Sequence, residues 1–245
     1  MSENGVRLNK FLASCGAGSR RACDALIQAG EVVVNGRVCD NPAYRVQPGD
    51  FVKMGNRVFE PLETLTLAFH KPAGLVCSRQ DEEGKKTIYD VLPPKYRHLA
   101  HVGRLDKDSE GLLILTNDGK LAQTLTHPGH RTTKMYHVTL DQAFDNEIID
   151  KLVKGVRTPE GVAKAVSVKR LSSRRLEMVL DTGLKRQIRL MLQVMGYRVK
   201  RLVRHRIGGL YLADLKLAKW RTLDAEDLAK LLDEESGRET PGSPR

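Results

Sequence analysis

Leu8, Phe11, Leu12 and Cys15 recur at helical spacing, and Gly16 and Gly18 break the pattern before Ser19, a residue able to cap a second helix with Ala22, Leu26 and Ile27 on its apolar side. Val32-Val33-Val34, then Asn35-Gly36, then Arg37-Val38-Cys39 predict a hairpin closed by a type I′ turn; Pro48-Gly49-Asp50 introduces a strand over 51–54. Apolar runs beyond residue 64 predict strands over 65–69, 112–116, 135–140, 165–171 and 176–180. Helices are expected over 121–125, 148–153 and 184–195. Strands outnumber helices and fall in neighbouring pairs, which predicts an α+β fold with a mostly antiparallel mixed sheet. The expected division is a small domain over 1–60, a linker over 61–64 containing Pro61, a larger domain over 65–232 and a polar, disordered tail over 233–245.

Composition narrows this picture. The 245 residues carry 41 Lys+Arg against 30 Asp+Glu, a formal charge of +11, while 40% hydrophobic content suffices for a buried core. From Asp224 onward seven carboxylates oppose three cations, so the positive excess belongs to the body of the chain. Residues 184–206 hold Lys185, Arg186, Arg189, Arg198, Lys200, Arg201, Arg204 and Arg206 with no carboxylate among them, which points to a polyanionic partner. Arg20 and Arg21 in the first turn of the second helix oppose its dipole, and an incoming phosphate would account for them. No apolar run reaches the roughly 18 residues of a membrane span, and the first five residues have no apolar stretch of the signal-peptide kind; a cytoplasmic protein without a membrane partner is expected.

Cys15, Cys23, Cys39 and Cys77 show no C-x-x-C spacing and read as reduced thiols. The pairs His98 with His101 and His127 with His130 lack further donors, and the second encloses Pro128-Gly129, so no metal site is expected.

Ordered motifs carry two resemblances. Arg7-Leu8-Asn9-Lys10-Phe11-Leu12, Ser19-Arg20-Arg21, Gly30-Glu31-Val32-Val33-Val34-Asn35-Gly36 and Val46-Gln47-Pro48-Gly49-Asp50 resemble the small RNA-binding fold named for ribosomal protein S4. That resemblance implies RNA contact through Arg7, Lys10, Arg20 and Arg21. Further along, residues 103–119 form a polar loop feeding a buried strand, with Arg104 and Asp106 separated by Leu105. By pattern alone, Asp106 or Asp108 serving as a turn residue is an equal reading. The run nevertheless resembles the catalytic motif of the pseudouridine synthases, in the RsuA-type branch that modifies ribosomal RNA. Lys71-Pro72-Ala73-Gly74, Lys134-Met135-Tyr136-His137-Val138 and Gly183-Leu184-Lys185-Arg186-Gln187-Ile188-Arg189 are similar to other motifs of that family.

The resemblance implies an isomerase that moves the ribose bond of a uridine from N1 to C5, which requires no redox equivalent, metal or phosphoryl donor and hence no cofactor. It implies Asp106 as the carboxylate beside the glycosidic bond, acting on the base, on C1′ or through a glycal. Arg189 is its expected ion-pair partner, and Tyr136 lies against the uracil to help remove the C5 proton. Leu105 and Ile188 line the pocket, and Arg104 aids extrusion of the nucleotide. Lys185, Arg186 and Arg201 are expected on phosphate, their bland alternative being a solvated face. Two positions depart from the family pattern: Leu190 stands where relatives often have a second arginine and Thr133 where they often have glutamate. The expected partner is ribosomal RNA or a precursor particle, large-subunit rather than small-subunit, met by a monomer. A non-catalytic RNA-binding assembly factor is the competing reading; a synthetase appendage fails for want of an ATP-binding signature.

Overall fold

The structure is a computed structural model describing residues 5–79 and 84–233, so the tail expected to be disordered lies, Asp233 aside, outside the described residues. The chain divides into two compact units after Thr64. In the first, β1 (Val6–Arg7), α1 (Leu8–Ser14) and α2 (Arg20–Gln28) precede β2 (Val32–Val34), β3 (Arg37–Val38), β4 (Arg45–Val46), β5 (Val52–Met54) and β6 (Arg57–Val58). The Ser19 hydroxyl accepts the Ala22 amide and caps α2 as expected. Asn35 and Gly36 both take positive φ, the requirement of a type I′ turn, and the Asn35 side chain locks that turn to Asp50 and to the Phe51 amide, each at 2.8 Å. Leu8, Leu12, Cys23, Ile27, Val32 and Val52 form the core beneath a four-stranded sheet in the order β3-β2-β5-β6. All four cysteines are free thiols, and burial pushes Cys15 up to about 11.

The second unit begins with β7 (Thr66–Lys71), β8 (Ala100–Val102), β9 (Glu110–Thr116), α3 (Gly119–Thr126), β10 (Lys134–Leu140) and α4 (Glu147–Lys154). It continues through β11 (Val156–Thr158), β12 (Gly161–Ala163), β13 (Ser167–Ser172), β14 (Arg175–Leu180) and α5 (Gln187–Val194). It ends with β15 (Val199–Ile207), β16 (Leu210–Tyr211), β17 (Trp220–Thr222) and α6 (Ala225–Leu232). The main sheet runs β13-β14-β10-β15-β9-β7-β17, with β8 on β9 and β16 on β15, and the fold is α+β. β15 meets β9 in parallel, at Val203 with Glu110 and Arg204 with Gly111, whereas the neighbouring pairs are antiparallel. At that junction Gly111 has φ +116, and a Cβ would collide with the Arg204 backbone, so only glycine lets the two strands close. Val138, Met178, Ile188, Met191 and Leu192 join α5 to one sheet face, while Leu67, Phe69, Ile88, Leu113 and Leu115 fill another cluster.

Three local expectations need correction. α5 starts at Gln187 rather than 184, because Arg186 is left-handed (φ 53) and the Gln187 Oε1 accepts the Leu184 amide and the Thr182 hydroxyl, closing a turn before the helix. Nor are residues 184–206 one phosphate-facing cluster: their second half is the central strand β15, whose Arg204 and Arg206 are 4% and 3% exposed. Their charges are spent inside, Arg204 on the Leu112 carbonyl and Arg206 on the Gly208 carbonyl. α6, absent from the sequence-based expectation, is capped reciprocally by Asp224 and Asp227 and buries Leu231 against the turn at Gly208.

His205 and His137 stack with ring centroids 3.9 Å apart, and burial first, then the His137 charge, holds His205 down at about 4. A depressed folded-state value means that the unfolded chain binds the proton first, so stability is expected to fall as pH drops from about 6.5 towards 4. Thermal melts across that window are expected to show a shallower decline in His205→Gln than in the parent chain.

Candidate active site

The loop between β8 and β9 presents Arg104, Leu105 and Asp106 to a cavity of about 790 Å³. Tyr136 and Lys134 reach it from β10, Ile188 from α5, Arg204 from β15, and Asp181 from the end of β14. Their convergence follows from the sheet. Alternation along β10 puts residues 134 and 136 on one face, and a register shift between Met135 and Tyr136 sets the tyrosine opposite Arg204. Leu105 and Ile188 are buried, Asp106 and Tyr136 half-buried, and Arg104 exposed at the opening.

Main-chain contacts shape the loop. The Ser109 amide donates to the Asp106 carbonyl, closing a turn without using the carboxylate. Around that turn three cations from separate elements hold carbonyl oxygens. Lys71, 0% exposed at the end of β7, donates to the carbonyls of Pro72 (3.1 Å), Asp106 (3.0 Å) and Ser109 (2.8 Å). Arg204 donates to those of Leu112 (2.8 Å) and Arg104 (3.4 Å). Arg189 donates to that of Asp108 (2.9 Å) and to the Ser109 hydroxyl (3.4 Å). The amide of Gly74, in the same short motif as Lys71, adds a bond of 2.7 Å to the Lys107 carbonyl. Burial drives the Lys71 ammonium below its ordinary value, and the nearby Cys77, Asp106 and Asp108 oppose that.

The expected ion pair between Arg189 and Asp106 is not what the structure contains. The Arg189 Nε lies 3.2 Å from Asp108 Oδ2, and Nη1 bonds the Val199 carbonyl. Starting α5 at Gln187 puts Arg189 in the first turn, level with the far end of the loop, where Asp108 is the carboxylate within reach. Burial lowers the Arg189 value; Asp108 and, more weakly, Asp106 counter it, so Asp106 remains within its field. Arg186 also pairs with Asp108, at 3.3 Å, and Arg201 with Glu110, at 2.8 Å. Lys185 is exposed on the cavity rim, and Arg7, Lys10, Arg20 and Arg21 are exposed on the first unit. Sequence reasoning assigned no role to Lys71, Lys134 or Asp181, and read Arg204 only as part of the basic cluster over 184–206. For Lys71 the available signal was a cation closing the mostly apolar strand β7; Arg204 offered none, since β15 also carries Lys200, Arg201 and Arg206.

No helix among the described residues is long and apolar enough to cross a membrane, and no group of three or more His, Cys, Asp or Glu among them is placed to hold a metal. Residues 66–194 match the family model for RNA pseudouridylate synthase, and residues 6–52 match the S4 domain. The dual-specificity RNA pseudouridine synthase RluF of Escherichia coli (strain K12) is 36% identical over 98% of this chain and 84% of its own length. The ribosomal large subunit pseudouridine synthase B of Bacillus subtilis (strain 168) is 31% identical over 92% of this chain and 95% of its own. A solved crystal structure of a pseudouridylate synthase superposes with a TM-score of 0.68 and 26% identity, covering 93% of this chain and all of that one. By both the family model and these full-length relatives, the chain belongs to the RNA pseudouridine synthase family.

Proposed function

We propose that this protein isomerises one uridine, or very few, in large-subunit ribosomal RNA, as a cytoplasmic enzyme. The observation that carries the reading is that Asp106, Tyr136, Leu105 and Ile188, drawn from a loop, a strand and a helix far apart in sequence, line one cavity. Asp106 supplies the carboxylate at the glycosidic bond and Tyr136 lies against the uracil, with Ile188 and Leu105 forming its apolar walls. Arg104, exposed at the opening, occupies the space a base vacates when it leaves its stack. Arg189 acts as a positioning residue: it fixes the segment two residues beyond Asp106 rather than touching the substrate. The reaction is balanced within the substrate, since the C5 proton lost is matched by one gained at N1, and so calls for no cofactor.

Binding is assigned to two basic surfaces. One is the α1–α2 face with Arg7, Lys10, Arg20 and Arg21; the other comprises Lys185, Arg186 and Arg201, whose carboxylate partners leave Arg186 at 43% and Arg201 at 60% side-chain exposure. Mapping pseudouridines in ribosomal RNA from cells lacking the protein is expected to show loss at one site, or very few, in the large-subunit RNA, restored by the purified protein. Unchanged maps in both ribosomal RNAs would refute the assignment, and loss in the small-subunit RNA alone would move it there.

A further inference from the structure

Two cations of the cavity do not follow from the reading above. Lys134 Nζ donates to the Thr132 carbonyl at 2.7 Å, its single hydrogen bond among the described residues, leaving two N–H groups for something else. Arg204, on the neighbouring strand and paired in register with Tyr136, is 4% exposed, yet its Nη2 has no hydrogen-bond partner among the described residues. Unsatisfied buried donors are costly, and two neighbouring cations in one apolar-walled cavity repel each other. The groups acting on Lys134 are Arg204 from β15, which disfavours its charge, and Asp181 from the end of β14, which favours it; Tyr136 shares its own strand face. Transient negative charge in the cavity would relieve both the repulsion and the open donors.

Resting on the proposed isomerase reading, we propose that Lys134 and Arg204 form a cationic floor that takes up the negative charge of the uracil ring while it is detached from its ribose. When the N1–C1′ bond breaks, its electron pair stays with the ring and spreads over N1, O2, C5 and O4. The carbonyl oxygens then become strong acceptors for Lys134 Nζ, while the buried Arg204 guanidinium, its Nη2 unpartnered, adds its positive field. C5 next closes on C1′ with an electron pair from the ring, the C5 proton leaves, and N1 takes up a proton, so the product is an isomer and neither cation is consumed. Donors fixed before the reaction bind this anion better than the neutral base, so the effect falls on kcat rather than KM.

Single-turnover rates from pH 6.5 to 9.5 test this with Lys134→Arg and Lys134→Met, melts of each confirming folding. Burial sets the Lys134 ammonium at about 8, so the wild-type rate is expected to fall above that pH as the charge is lost. Lys134→Arg, charged throughout, is expected to stay within about tenfold and lose the alkaline fall; Lys134→Met is expected to lose roughly 10²- to 10³-fold in kcat with KM within about twofold. If the methionine variant melts early, the arginine variant decides alone by its rate and pH profile. A wild-type rate rising through pH 8 together with an inactive arginine variant would make Lys134 a proton acceptor and overturn the proposal. A raised KM at unchanged kcat would overturn it equally, by showing ground-state binding of phosphate or base. Absence of pseudouridine from the wild-type reaction is a separate result that removes the isomerase reading itself.

Discussion

Asp106→Asn is expected to lower pseudouridine formation by roughly 10⁴-fold or more, while RNA affinity stays within a few fold. The asparagine is nearly isosteric, so the cavity keeps its shape and its apolar walls. What disappears is the negative charge that the proposed mechanism sets against the sugar or ring. The turn carrying residue 106 is closed by main-chain atoms, from the Ser109 amide to the residue 106 carbonyl, and by Lys71 on that same carbonyl, so the substitution leaves the loop's hydrogen bonds in place. Its melting temperature is therefore expected within a few degrees of the parent. The measurement is tritium release from RNA labelled at uridine C5, paired with a binding isotherm. Equal loss of binding and turnover would place Asp106 in RNA recognition, and unimpaired turnover would remove it from the chemistry altogether.

Lys71→Met is expected to cost about 3 kcal/mol or more of stability, seen as a fall in melting temperature of roughly 6–12 °C for a unit of this size. Methionine fills the volume but leaves the Pro72 and Ser109 carbonyls without that donor, and the Asp106 carbonyl with the Ser109 amide alone, in a site from which water is excluded. Activity is expected to drop further than the melt implies, because a residue 106 carbonyl held by the Ser109 amide alone lets the neighbouring carboxylate drift. Lys169→Met, on the exposed surface of β13, provides the control and is expected to change stability by no more than about 0.5 kcal/mol. A Lys71 variant as stable as that control would mean the loop finds other partners.

These two residues show how much of the site was legible in the sequence. Asp106 stood out through the resemblance of residues 103–119 to the synthase motif, since by pattern alone a turn aspartate was an equal reading, whereas the Asn35-Gly36 and Pro48-Gly49-Asp50 turns of the first unit were readable because their chemistry is local. Lys71, Arg189 and Arg204 were not readable in the same way, since each is defined by a carbonyl or carboxylate 35 to 100 positions away, and a cation in a strand looks alike whether it meets water or a buried oxygen. The same ambiguity made β15 look like the continuation of a basic surface. Arg189 found Asp108 instead of Asp106 because the left-handed Arg186 delays the start of α5, a detail that no periodicity encodes.

The bonds from Arg204 to the carbonyls of Leu112 and Arg104 span 92 and 100 positions, so the segment bearing Asp106 is anchored from a strand made long after it. At ordinary synthesis rates, roughly 5–20 s separate the appearance of the two partners. A nascent chain thus passes through an interval in which it can already display its amino-terminal S4-type unit but has not yet fastened the segment carrying Asp106, and that segment is secured only once β15 has been delivered.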